Sequence, residues 1–163
     1  MAFSEAWLAA YQSKRAVDKG VERGNEALSF TLPDKVVYRL KGGLGTTNPV
    51  PLLNEWQRMH WARRRKFQAA LSAEIAKLIP HALGRQPWRA VTLTIVRYSV
   101  GTPDADAPVV KGLVDSLLVR SDTHPFGLGM VVDDSPEHLT LTVTAQRCAT
   151  RAEQRTEVTI QPR

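Results

Sequence analysis

Apolar and polar residues alternate along several segments of the chain, and this period of two predicts β-strands. The alternation is seen in Val36–Leu40 and in Val91–Ile95, which continues through Tyr98 with a change of phase that predicts a bulge. It is clearest over residues 139–146, where apolar side chains alternate with threonines. Glu157–Ile160 alternates in the same way and is predicted to pair with this strand as the second arm of a hairpin.

A different spacing, close to the helical period, follows Asn54. Apolar residues recur there every three or four positions, Asn54 is suited to cap the helix, and Pro80 predicts its end, which gives one helix of roughly two dozen residues. Pro108 suits the first turn of a second helix, which places Lys111 in that first turn. The predicted apolar stripe of this second helix consists of Val110, Leu113, Val114, Leu117 and Leu118.

The remaining segments complete the predicted organisation. Ser4–Ala16 is typical of an amphipathic helix, and the charged, glycine-containing stretch after it makes residues 1–33 an extension of a main domain, residues 34–163. Residues 41–51 and 120–129 are rich in glycine and proline and are predicted to be loops, and Met130–Val132 is predicted to be a short strand. At 163 residues, the chain is expected to form a single globular domain with this extension.

The formal charge of +6 favours a polyanionic partner, although a merely basic protein has the same composition. Cys148 is the single cysteine, so no intramolecular disulfide can form, and a reducing cytoplasm is the expected setting. The chain has no run of about eighteen apolar residues and no secretory leader pattern, so we expect neither membrane insertion nor export.

Two acidic segments concentrate carboxylates in this basic chain: Asp104 and Asp106, and then Asp133 and Asp134. Two aspartates separated by one residue point the same way from an extended chain, and a third from another segment would complete an oxygen-ligand site for Mg²⁺, with Mn²⁺ as a substitute. Lys111 would then face a phosphate. Aspartates are also common in turns and at helix starts, so each pair alone favours a structural interpretation, and only the combination with Lys111 gives the metal site comparable weight.

A basic run lies on the predicted long helix beside two tryptophans. Arginine and lysine at this density are typical of contacts to DNA phosphates, and the alternative is a solvated helix face. The candidate DNA-binding residues are Arg58, Arg63, Arg64, Arg65 and Lys66.

Two other metal-site patterns fit poorly. An EF-hand loop beginning at Asp104 would need glycine where Val109 stands. A restriction-type nuclease signature beginning at Pro103 lacks the acidic-x-lysine element that should follow it.

Three motifs together resemble one family. They are Leu53-Asn-Glu beside the basic helix, the Asp-x-Asp that leads to Lys111 and a Leu-Val-Asp-Ser-Leu helix, and Val-Asp-Asp-Ser-Pro-Glu-His before the last strands. Over residues 36–161 the chain resembles the RusA-like crossover junction endodeoxyribonucleases, the Holliday junction resolvases common in phages and prophages.

The resemblance implies a fold of the α/β (α+β) type, a mixed sheet flanked by helices, here with an N-terminal helical extension. It implies a cytoplasmic homodimer that uses Mg²⁺ to place paired symmetric nicks in branched DNA during recombination and repair. By the same resemblance Asp104, Asp106 and Asp134 are the metal ligands, and Lys111 is the catalytic lysine.

The chain also departs from the family pattern. Ala107 stands where the family has asparagine, the spacing from Asp106 to Lys111 is one residue longer, and Thr102-Pro103 replaces basic residues. These departures keep a second hypothesis open: a catalytically impaired dimer that binds DNA junctions. The loop of residues 119–129, with Arg120, His124 and Phe126, is expected either to touch DNA or to cover the dimer.

Overall fold

A computed structural model describes residues 22–101 and 108–163. The predicted helix at Ser4–Ala16 lies outside these residues. The described strands are β1 (Leu28–Pro33), β2 (Val36–Leu40), β3 (Gly43–Thr47), β4 (Val91–Ser99), β5 (Leu139–Arg147) and β6 (Arg155–Pro162). The described α-helices are α1 (Leu53–Arg58), α2 (Trp61–Leu78) and α3 (Lys111–Leu117), with short 3₁₀ helices at Pro80–Ala82 and Arg151–Glu153.

Four of the strands form one mixed sheet in the order β1-β6-β4-β5. β6 pairs antiparallel with both β1 and β4, whereas β4 and β5 are parallel. β2 and β3 form a separate antiparallel hairpin. The helices pack on the sheet and on this hairpin, so the α+β class with a mixed sheet flanked by helices is confirmed.

The predicted hairpin of β5 with β6 is wrong, because β4 lies between these two strands. Alternation identifies the residues that share a face of a strand, but it carries no information on which strand lies next to it. β6 takes a central place because Thr156, Val158 and Ile160 are all fully buried. The predicted bulge is also wrong, since β4 pairs without interruption from Val91 to Ser99.

Two strands occupy segments for which the sequence predicted none. Residues 28–33, assigned above to the N-terminal extension, form the edge strand β1, and its Leu32 is fully buried. The predicted loop at residues 41–51 contains β3. In β3 a Cβ on Gly45 would lie 2.6 Å from a ring carbon of Tyr38, so glycine is needed for the hairpin to close over that ring.

The predicted long helix is two helices, because the extended backbone at Met59 interrupts the helical conformation between α1 and α2. Asn54 is therefore the second residue of α1 and caps nothing, whereas His60 Nδ1 accepts a hydrogen bond from the backbone N–H of Ala62 at 3.3 Å and caps α2. The predicted end at Pro80 is confirmed, since α2 ends at Leu78.

The second predicted helix begins later than expected. Pro108 precedes α3 by three residues and is not in its first turn, whereas Lys111 is the first residue of α3, as predicted. The predicted strand at Met130–Val132 is reduced to isolated bridges from Val131 to Trp88 and to Leu118. Within the described residues no helix is long and apolar enough to cross a membrane.

The contact between α2 and α3 positions the candidate site. Gln68 Nε2 donates to the Gly112 carbonyl at 2.6 Å, and one helical turn further Ser72 Oγ donates to Ser116 Oγ at 2.9 Å. A Cβ on Gly112 would lie 3.0 Å from the Gln68 side chain, so the two helices approach closely. Lys111 therefore begins its helix beside the N-terminal half of α2, where the basic run lies.

Candidate nucleic-acid interface and active site

The five predicted DNA-binding side chains lie on α1 and on the first half of α2, and we call them the arginine surface. Arg58, Arg65 and Lys66 are exposed, whereas Arg63 and Arg64 are half-buried. The two half-buried arginines are held by protein groups, which separates them from freely rotating surface cations.

Arg63 is held by Tyr38, which itself forms a buried hydrogen bond with Thr47. Its Nε donates to the Tyr38 hydroxyl at 2.8 Å, and its guanidinium lies 5.8 Å from the centre of the Tyr38 ring. The Tyr38 hydroxyl is in turn 2.7 Å from Thr47 Oγ1, and both residues are buried. Because Nε is engaged, the guanidinium is oriented before any ligand arrives, which lowers the entropic cost of binding.

Arg64 is fixed by a tryptophan. Its Nη2 donates to the Trp56 carbonyl at 2.8 Å, and its guanidinium lies 4.7 Å from the Trp56 ring centre. Arg65 lies 5.9 Å from the ring centre of Phe126, which connects the arginine surface to the loop of residues 119–129. These contacts use the delocalised, planar guanidinium, which lysine could not replace equivalently.

A cleft of about 410 Å³ opens beside the arginine surface. Two guanidiniums, one amide and one carboxylate line it together with apolar side chains. The lining residues are Leu52, Asn54, Glu55, Arg58, Met59 and Arg63. Cations, one carboxylate and apolar atoms thus share this cleft.

Substituting Tyr38 by phenylalanine is expected to reduce stability and, on the prediction that the arginine surface binds DNA, to weaken that binding as well. The buried Thr47 hydroxyl would lose its 2.7 Å partner, which should cost about 1–2 kcal/mol of unfolding free energy. Arg63 would also lose its 2.8 Å anchor, so affinity for DNA should fall a few-fold. Urea unfolding and fluorescence anisotropy with labelled DNA measure the two effects. Unchanged DNA affinity would show that the anchor does not serve binding.

Lys111 is paired within its own helix. Its Nζ lies 3.3 Å from Asp115 Oδ2, while its side chain stays 63% exposed. Asp115 also lies 3.6 Å from Nδ1 of His124, a residue of the loop that follows α3. Sequence reasoning missed this role of Asp115, although a lysine four residues before an aspartate on a helix was the available signal. The ammonium is thus restrained but still accessible to a ligand.

Asp133 and Asp134, the second acidic pair, are both exposed and differ in their hydrogen bonds. Asp133 Oδ1 accepts a hydrogen bond from the backbone N–H of Asp134 at 2.9 Å. That bond, followed by one with Ser135, lowers the pKa of Asp133 below its ordinary value. Asp133 therefore shapes the local turn, and Asp134 stays the ligand that the family resemblance implies.

Asp104 and Asp106 lie outside the described residues, but the chain on both sides is described. After the gap, the backbone N–H of Val109 donates to the Pro51 carbonyl at 2.8 Å, directly before α1. Before the gap, burial lowers the pKa of Arg97 on β4, and the nearby carboxylates of Asp34 and Glu55 oppose this shift. The chain directly after these residues therefore lies beside the start of α1.

Asp134 lies in the loop that precedes β5. β4 and β5 are parallel, and Val91 pairs with Leu139 at one end while Ser99 pairs with Arg147 at the other. Asp134 comes before Leu139, so it precedes the end of the pair that contains Val91 and not the end that contains Ser99. Across residues 22–101 and 108–163, no three His, Cys, Asp or Glu side chains are grouped to hold a metal ion. Within the described residues, the ion pair of Lys111 is formed with Asp115 and not with Asp134.

Comparisons with known proteins add no family assignment. No protein-family model matches the chain, and no curated protein matches it. The resemblance to the RusA-like nucleases therefore rests on the three sequence motifs.

Proposed function

We propose that this protein is a Mg²⁺-dependent, structure-selective endonuclease that acts as a homodimer and resolves Holliday junctions and other branched DNA by paired symmetric nicks. The observation that supports the proposal is the arginine surface, in which Arg63 and Arg64 are oriented by Tyr38 and Trp56. Lys111 begins α3, which packs against the same helix α2 through the bond from Gln68 to Gly112. Candidate phosphate contacts therefore lie on two helices that touch.

Each group has a role in this proposal. The arginine surface binds the backbone of the DNA arms, and Arg63 and Arg64 set the register because their guanidiniums are already oriented. Lys111 contacts the scissile phosphate and stabilises its developing charge, while Asp115 orients the ammonium.

The proposed metal fits the donor chemistry. Asp104, Asp106 and Asp134 offer carboxylate oxygens, the ligands that Mg²⁺ prefers, and Asp134 is exposed. When bound there, the ion would supply Lewis-acid activation of the phosphodiester.

A labelled four-way junction tests the proposal. We expect paired nicks at symmetric positions in Mg²⁺ or Mn²⁺ and none in EDTA. A linear duplex of the same sequence, incubated in parallel, should remain intact. Absence of metal-dependent nicks at protein concentrations that saturate the junction would refute the nuclease.

A second candidate function is a junction-binding dimer without catalysis. It is favoured by the position of Asp134 near the Val91 end of the β4–β5 pair, away from Ser99, and by the ion pair of Lys111 with Asp115. In that case the protein should bind junctions in EDTA and leave them uncut in Mg²⁺. Both functions predict salt-sensitive binding, with a slope of log K against log salt near −4.5 if all five cations meet phosphates, at about −0.9 for each.

A further inference from the structure

The indole of Trp61 is unusually accessible. Trp61 is the first residue of α2, and 68% of it is exposed. Its one ring contact in the described part of the chain is a tilted one with His60, at 5.5 Å between centres. A tryptophan left in water forgoes the stabilisation that burial of so large an apolar surface brings, and its face is free to contact a ligand.

The surroundings of Trp61 are cationic. Arg65 is exposed and four residues further along α2, so both side chains lie on the same face of the helix. The rest of the arginine surface lies on the same helix or on α1 just before it. Trp61 is therefore an aromatic platform next to several positive charges.

We propose that Trp61 stacks on an unpaired base of the DNA substrate while Arg65 neutralises an adjacent phosphate. Every nucleobase has a face on which an indole can stack, and such stacking tolerates any sequence. This inference rests on the proposed DNA substrate and deepens it. It identifies the feature that the protein recognises as an unstacked nucleotide, which a branch point exposes when its base pairs open and a continuous duplex does not.

Charge distinguishes DNA from the other possible occupants. A second copy of the chain, packed about a two-fold axis on this surface, would bring an identical set of cations against Arg65 and its neighbours, which is unfavourable. A lipid bilayer would need a broad apolar helix face, but the apolar face of α2 is buried in the core through Phe67, Leu71 and Ile75. A polyanion with aromatic bases matches both the charge and the indole.

Binding in EDTA tests this inference without any cleavage. The probes are a labelled twelve-nucleotide oligothymidylate and an abasic oligomer with the same number of phosphates. Trp61→Ala is expected to weaken oligothymidylate binding about tenfold and to leave abasic binding unchanged, since stacking on one base contributes about that much. Trp61→Phe should restore most of the lost affinity. The matched control is Leu44→Ala, because Leu44 is 71% exposed on β3 and lies away from α2.

Several results would overturn the inference. Equal losses on both probes, or no loss on either, would show that Trp61 does not read bases. A change in solution mass with Trp61→Ala would indicate that a second copy covers the indole. Indole-dependent binding to phosphatidylserine vesicles, with no preference for oligothymidylate over the abasic oligomer, would indicate that Trp61 binds a membrane surface. If the protein nicks junctions but Trp61→Ala leaves oligothymidylate binding unchanged, this inference alone is refuted. If binding depends on the bases but no nicks form, only the nuclease activity is refuted.

Discussion

Replacing Asp104 by asparagine is expected to lower Mg²⁺-dependent nicking of a four-way junction about a thousandfold, because the loss of a metal ligand removes several kcal/mol of transition-state stabilisation. The substitution keeps the size of the side chain and removes its charge. The variant should therefore bind the junction at least as tightly as the natural chain, since one negative charge near the DNA is gone. Single-turnover nicking rates and anisotropy titrations in Ca²⁺ measure the two properties separately.

The matched control is Glu26→Gln, which likewise removes one negative charge, from an exposed residue before β1. This control should nick at the natural rate. If Asp104→Asn also nicks at the natural rate, Asp104 is not a metal ligand and the proposed active site is wrong. If Asp104→Asn loses junction binding as well, the residue has a structural role.

The local pattern predicted elements well where side chains face a core on one side. β2 and β4 follow their alternation closely, and Pro80 marks the end of α2 because proline cannot continue the hydrogen-bond ladder. β1 had the same signal, since Leu28, Phe30 and Leu32 alternate with Ser29 and Thr31. It was missed because the charged stretch before it made the whole N-terminal segment resemble an extension.

Strand neighbours and helix breaks could not be predicted in the same way. Seven residues join β5 to β6, a connection short enough for a hairpin, yet β4 separates them because β6 buries its apolar face between two neighbours. The break between α1 and α2 depends on the extended backbone of Met59, which apolar spacing alone does not record. β3 was hidden because two of its five residues are glycines, which carry no side-chain pattern.

The candidate site was predictable in its residue types and less so in its geometry. The basic run identified the arginine surface, but nothing in the sequence indicated that Tyr38 anchors Arg63 from a separate hairpin. Spacing placed Lys111 at the start of a helix, and the structure adds its partner Asp115. Whether Asp104, Asp106 and Asp134 share one ion stays a prediction, because it depends on three-dimensional convergence that spacing along the chain does not encode.

Substituting Phe67 by alanine is expected to lower the free energy of unfolding by about 3–5 kcal/mol, the usual cost of deleting a buried aromatic ring. Phe67 is completely buried in α2, with edge-on ring contacts to Tyr38 at 6.1 Å and to Trp56 at 6.4 Å. It also packs beneath Gly112 at the start of α3. The cavity would therefore loosen α1, α2, α3 and the β2–β3 hairpin at their common contact.

Urea unfolding followed by circular dichroism measures this loss, which is a large share of the roughly 5–15 kcal/mol that stabilises a typical domain. The control is Lys66→Ala, the neighbouring exposed position on the same helix, which should change stability by less than about 0.5 kcal/mol. A loss below about 1 kcal/mol for Phe67→Ala would contradict the packing described here. Because Phe67 contacts both Tyr38 and Trp56, which anchor Arg63 and Arg64, the variant should also bind DNA more weakly at temperatures where it remains folded. The same side chain thus links the stability of the core to the orientation of the arginine surface.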